Sequence, residues 1–192
     1  NQFFERDVDG RMPRTAQRPL PSGRLEPSHA LWFGGVVSAL GLIELFFFVS
    51  PATAAVGALI LLSYVFVYTP LKRVTPLNTY VGAVPGALPF VLGWIAGGGR
   101  VAGEAAALFL LVFLWQLPHF YAIAWTYKND YRLGGLRMMP AEDEKGVETG
   151  VQIVLFSILL FSASLLPFWI GISGRAYLAV AAKNLPFEER TI

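Results

Sequence analysis

Residues 30–49, ALWFGGVVSALGLIELFFFV, contain a single ionisable side chain, Glu44. A helix needs about 20 mostly apolar residues, rising about 1.5 Å each, to cross a hydrocarbon core of about 30 Å. The stretch therefore reads as a membrane span. Four others match it at 53–71, 77–97, 104–127 and 149–172. A sixth, RAYLAVAAKNLPF from Arg175, starts similarly but soon meets Lys183, Pro186 and the acidic pair Glu188 and Glu189, so it reads as short or cut off. The expected fold class is all-α, a polytopic transmembrane helix bundle.

Composition agrees with this reading. The chain is 55% hydrophobic and only 15% charged, whereas soluble domains carry about 25% charged residues. A net charge of +2 argues against a nucleic-acid partner, and membrane lipid is the expected surrounding. The absence of cysteine excludes disulfides and thiolate metal sites. No initiator Met or signal-peptide pattern is present, and residue 1 falls inside a charged motif, so a fragment lacking upstream helices is expected. With no repeat and no long linker, residues 1–192 read as one membrane-embedded domain.

Basic residues gather in alternate connections. Arg6, Arg11, Arg14, Arg18 and Arg24 precede the first span, Lys72 and Arg73 follow the second, and Lys128, Arg132, Arg137 and Lys145 follow the fourth. The intervening connections hold little more than Arg100 and Arg175. The positive-inside rule puts segments 1–29, 70–76 and 128–148 on one side, cytoplasmic in a bacterial inner membrane or facing the matrix in a mitochondrial inner membrane.

These polar segments carry the candidate chemistry. In NQFFERDVDGRMPRTAQRPLPSGR, Asn1, Glu5 and Asp9 are spaced by four and form one ladder of oxygen donors on a helix. Stacked carboxylates repel unless a cation joins them, and Mg²⁺ suits one or two carboxylates plus substrate phosphates. Arg14 and Arg18 offer planar forks to phosphate oxygens. The same segment also reads as a solvated loop whose arginines only set topology.

In WQLPHFYAIAWTYKNDYRLGGLRMMP (115–140), Gln116, His119, Tyr127 and Asp130 fall on roughly one helical face. His119 is an ionisable group inside an apolar run, and reads equally as a functional residue or as a neutral histidine bonded to a neighbouring helix. Asp130 is expected at the C-terminus of that helix, against the dipole, where a bound cation would relieve it. Tyr68 and Lys72 lie four apart at the membrane surface, where lysine also serves as an interfacial anchor. Asn78, Gly82, Gly86, Pro89 and Gly93 share one side of the next span, either for close helix packing or to leave room for a flat ligand.

Together these motifs, with YTPLKRVTPLNTYVGAVPGALPFVLGW and SLLPFWIG, resemble the UbiA superfamily of intramembrane prenyltransferases, and within it the branch that farnesylates haem. The resemblance covers residues 1 to about 180. It implies a nine-helix bundle around a central chamber, with 1–29 and 128–148 as the two polar active-site loops. Glu5 stands where the family's first motif has Asp, and Thr126 where much of the superfamily has the first acid of its second motif.

The resemblance further implies Mg²⁺-assisted transfer of farnesyl from farnesyl diphosphate to a vinyl group of haem B, giving haem O. Asn1, Glu5, Asp9 and Asp130 are the implied metal ligands. Asp9, Asp130, Lys72 and Tyr68 are the implied catalytic residues. Arg14, Arg18 and Arg137 with Asn78 would bind diphosphate, and His119 would meet haem. Trp115, Phe120, Tyr121 and Trp125 would either steady cationic carbon or simply pack. Haem A synthase or terminal-oxidase assembly proteins are implied neighbours. The alternatives are another aromatic or chlorin prenyltransferase of this type, or a transporter or haem-binding scaffold. A transporter would place its ionisable groups near the membrane midplane, whereas here they collect at one surface.

Overall fold

The computed structural model describes residues 1–171 and 173–177 of the chain. The sixth apolar stretch lies outside the described residues from position 178 onward. A short helix α1 (Gln2–Asp9) opens the chain, and an irregular run of turns leads to α2 (Pro27–Glu44). Then come α3 (Pro51–Leu62), α4 (Thr69–Leu71), α5 (Asn78–Ala96), α6 (Gly103–Thr126), α7 (Lys128–Gly134), α8 (Met139–Glu142), α9 (Val147–Ser164) and α10 (Leu166–Trp169). Among the described residues all regular structure is helical.

Five segments are long and apolar enough to cross a membrane: Pro27–Val49, Pro51–Leu71, Asn78–Ala96, Gly103–Thr126 and Val147–Trp169. Each overlaps one of the five expected stretches. Local chemistry sets several boundaries. Proline sits in the first turn of α2 and α3, where its missing N–H costs nothing. Ser50 caps α3, its Oγ accepting from the Thr53 amide at 3.1 Å.

The second span is not a uniform helix. Over Ser63–Tyr68 it widens to π-type hydrogen bonding just before Pro70, whose ring cannot stack against an ordinary α turn. The Thr69 hydroxyl satisfies the Tyr64 carbonyl five residues back, at 2.9 Å. The first span widens in the same manner over Leu45–Val49.

Helix α6 packs between α5 and α9, and α3 packs on the other flank of α5. Between α5, α6 and α9 the core is Ala83, Leu117 and Tyr121, with Tyr80, Phe113 and Phe156 against it. The first span has no buried residues; apolar side chains facing lipid lose nothing by it, since lipid is as apolar as a protein core.

A second core lies at one end of the bundle. Val8 and Met12 from the opening segment pack with Ala124, Leu136, Met138 and Ala141. Gly134 lets them in, since a β-carbon there would stand 3.0 Å from Met12 and 3.1 Å from Val8. The two large polar segments are thus welded by apolar contacts beneath their charges.

Candidate active site

Three polar segments meet at this end, and each of the key acids holds a cation from elsewhere in the chain. Glu5 Oε1 accepts from Lys72 Nζ at 2.7 Å, both side chains being 14% exposed. Its other oxygen accepts from Asn1 Nδ2 at 3.0 Å, so the first two rungs of the ladder do touch. Asp9 is almost fully buried and accepts from Arg18 at 2.9 Å. The Thr15 hydroxyl bonds the Asp9 carbonyl at 2.8 Å and folds the turn that returns Arg18 to Asp9. Arg14 lies 3.8 Å from Asp130 and caps the Tyr127 ring, its guanidinium carbon 4.7 Å from the centroid. The opening segment and the 128–148 segment therefore share an ion pair as well as a core.

Lys72 also sits 4.6 Å above the Tyr68 ring. That ring lies against Gly82 of α5 so closely that any β-carbon there would overlap it. Burial alone would lower the Lys72 ammonium. Tyr68 and the bonded Glu5 outweigh burial, and the pKa is raised.

Arg137 and Asn78 do something different. The Arg137 amide donates to the Lys72 carbonyl at 2.8 Å, and the Arg137 carbonyl accepts from Asn78 Nδ2 at 2.8 Å. The exposed guanidinium donates to Glu142 at 2.7 Å and to the Val74 carbonyl at 3.0 Å. These two residues staple the 72–78 connection to the second polar segment.

The expected position of Asp130 is corrected. Helix α6 stops at Thr126, and a new helix begins at Lys128. Asp130 is in the first turn of α7, where a carboxylate suits the dipole. The conflict expected from one continuous helix does not arise. His119 is exposed among the described residues, stacked on Trp115 at 5.0 Å with 14° between the rings. With Trp115, Phe120, Gln116, Gly86 and Phe90 it lines an apolar groove of about 660 Å³. Two of the four aromatics expected to face cationic carbon lie elsewhere. Tyr121 is fully buried in the α5–α6–α9 core, and Trp125 lies beneath Lys128, whose Nζ is 3.7 Å from a ring of the indole.

Sequence reasoning missed Asp143. Its carboxylate accepts from the Thr149 amide at 2.9 Å, the Thr149 hydroxyl at 2.8 Å and the Gly146 amide at 2.8 Å. These bonds hold its pKa below the usual carboxylate range and tie down the start of α9. The D-x-x-G-x-x-T spacing at 143–149 was the available signal.

Among the described residues, no three of His, Asp and Glu converge as a protein-only metal cage. The donors present are hard oxygens, each carboxylate partnered by an ammonium or guanidinium. That donor chemistry fits Mg²⁺ arriving with a diphosphate, which uses few protein ligands.

A model of the UbiA prenyltransferase family matches residues 1–185, and the chain belongs to that family. It is accordingly an integral membrane protein. It is 49% identical over 181 residues to protoheme IX farnesyltransferase of Solibacter usitatus (strain Ellin6076), covering 94% of this chain and 62% of the relative. It is 47% identical over 182 residues to the protein of that name in Myxococcus xanthus (strain DK1622), covering 94% and 61%. With that of Flavobacterium psychrophilum (strain ATCC 49511 / DSM 21280 / CIP 103535 / JIP02/86) it shares 46% identity over 179 residues, covering 93% and 58%. The chain thus spans 58–62% of the length of these curated relatives. A solved structure from work on digeranylgeranylglyceryl phosphate synthase in membranes superposes with a TM-score of 0.72 at 21% identity, covering 95% of this chain and 63% of that one. That likeness establishes the fold.

Proposed function

We propose that the protein transfers a farnesyl group from farnesyl diphosphate to a vinyl group of haem B, giving haem O. One observation carries the reading: acids and bases from three remote segments form adjoining pairs at the polar end of an apolar bundle. A diphosphate joined to a long hydrocarbon has the same division of character. The relatives named protoheme IX farnesyltransferase support the choice of acceptor.

On this reading Lys72, Arg14 and Arg18 release their carboxylates and turn to the diphosphate, while Arg137 and Asn78 hold the second polar segment in register. Glu5, Asp9 and Asp130, freed of their cations, and the Asn1 amide beside Glu5 would supply the few oxygen ligands of a Mg²⁺ carried in with the diphosphate. Bound there, the metal supplies charge neutralisation to the leaving group. Lys72 and the arginines contribute the same stabilisation once they have turned to the leaving group. Tyr68 keeps Lys72 over the site through its ring face. The allylic C–O bond breaks with its electron pair on diphosphate, and the vinyl π pair forms the new C–C bond. Water then adds to the cation left beside the porphyrin. Trp115 and Phe120 face the groove and steady positive charge there, and His119 meets the porphyrin. The polar end faces the cytoplasm of a bacterial inner membrane, near haem A synthase or terminal-oxidase assembly proteins.

The test is a turnover assay on membranes carrying the full-length gene product, with haem B and farnesyl diphosphate, read by mass spectrometry. Farnesylated haem and free diphosphate are the expected products. Prenylation of 4-hydroxybenzoate in place of haem B would move the protein to another branch of the family. Haem binding or transport without diphosphate release would end the enzymatic reading.

A further inference from the structure

The groove holds a feature that the diphosphate chemistry does not use. Gln116 is 5% exposed, and its amide nitrogen donates both to the Ala83 carbonyl at 3.2 Å and to the Val112 carbonyl at 3.1 Å. Both N–H donors are spent, so the orientation of the amide is fixed and only Oε1 remains to interact. No donor among the described residues reaches that oxygen. It lies against Gly86, where any β-carbon would overlap it. An amide oxygen that opens on a lipophilic groove from a side chain otherwise withdrawn from solvent is costly unless it accepts a hydrogen bond from what enters the groove. His119, one turn further along α6, lines the same groove. Apart from the Trp115 indole, these two are its only polar side chains among the described residues.

The geometry points to a water site, with Gln116 Oε1 and the His119 imidazole holding the molecule that ends the reaction. This rests on the farnesyl-transfer reading above. Once the vinyl carbon has bonded to farnesyl, the carbon attached to the porphyrin is electron-deficient. The water oxygen gives a lone pair to that carbon, forming the C–O bond of the hydroxyl. The O–H bond then breaks, and its proton passes to the His119 imidazole. Diphosphate has already left with its electron pair, so atoms and charge balance. Gln116 is here a positioning residue, and Gly86 is the notch that admits it.

The ratio of two products reads this directly. Without a held water, the cation loses a neighbouring proton instead and yields farnesylated haem lighter by one water. In the membrane assay, Gln116→Leu is expected to lower the hydroxylated-to-dehydrated ratio about tenfold, the factor equivalent to one lost hydrogen bond of about 1.4 kcal/mol. Gly86→Ala, which crowds the same amide, shifts the ratio the same way. A ratio is independent of how much variant reaches the membrane. An unchanged ratio in Gln116→Leu, or equal loss of both products, overturns the water site while farnesyl transfer stands. A wild-type protein that farnesylates no haem overturns both.

Discussion

Glu5 and Lys72, 67 positions apart in the chain, meet at 2.7 Å with both side chains largely withdrawn from solvent. Breaking one side leaves the other charge without its partner. Lys72→Met is expected to destabilise the protein in detergent by about 1–3 kcal/mol, the usual cost of stranding a withdrawn polar group. Adding Glu5→Gln should recover part of that loss, read as a coupling energy in thermal unfolding. Strictly additive losses would show that the pair contributes nothing.

Lys72 also gives a pH signature. Its folded pKa is raised above the ordinary lysine value, so the stability it contributes is fully present below that ordinary value. It is lost as pH rises through the folded pKa. Thermal unfolding of the wild type should therefore weaken in strong alkali more steeply than that of Lys72→Met.

Asp9→Ala and Asp130→Ala should each lower diphosphate release by at least about 10²-fold, the scale seen when one preorganised charge-stabilising group is removed. Membrane insertion should be unchanged, because the apolar spans are untouched. Proteoliposome assays of turnover and insertion separate the two effects, and normal turnover in both variants would remove these acids from the site.

The five spans and the gathering of three segments at one end were legible because length, hydropathy and charge are local properties. The identity of each ion pair was not, since spacing puts Asn1, Glu5 and Asp9 on one face without saying that Lys72 or Arg18 would fill it. The break between α6 and α7 at Tyr127 was hidden because no proline or glycine marks it. Gly82 and Gly86 read as generic small residues until the Tyr68 ring and the Gln116 amide were seen against them.

Gly146 has φ +76°, and a β-carbon there would stand 2.6 Å from the Trp125 ring. Gly146→Ala is expected to cost about 1–3 kcal/mol from backbone strain alone, with the Trp125 contact adding to it. Thermal unfolding in detergent checks this; an unchanged midpoint would refute it.

Asp143 sets an acid limit for the start of α9. Its folded pKa is depressed, so its contribution is present above the ordinary Asp value of about 3.9 and is lost as pH falls through the folded pKa. Amide exchange at Gly146 and Thr149 should accelerate in that acid window. The acceleration should vanish in Asp143→Asn.

On the proposed function, the pairing at the polar mouth would also act as a filter. A lone anion offered to Lys72 would strand Glu5, and a lone divalent cation offered to Glu5 would strand Lys72. Only a visitor bearing both signs of charge at once can displace the two partners without leaving unneutralised charge, so phosphate alone and a metal ion alone would each be disfavoured.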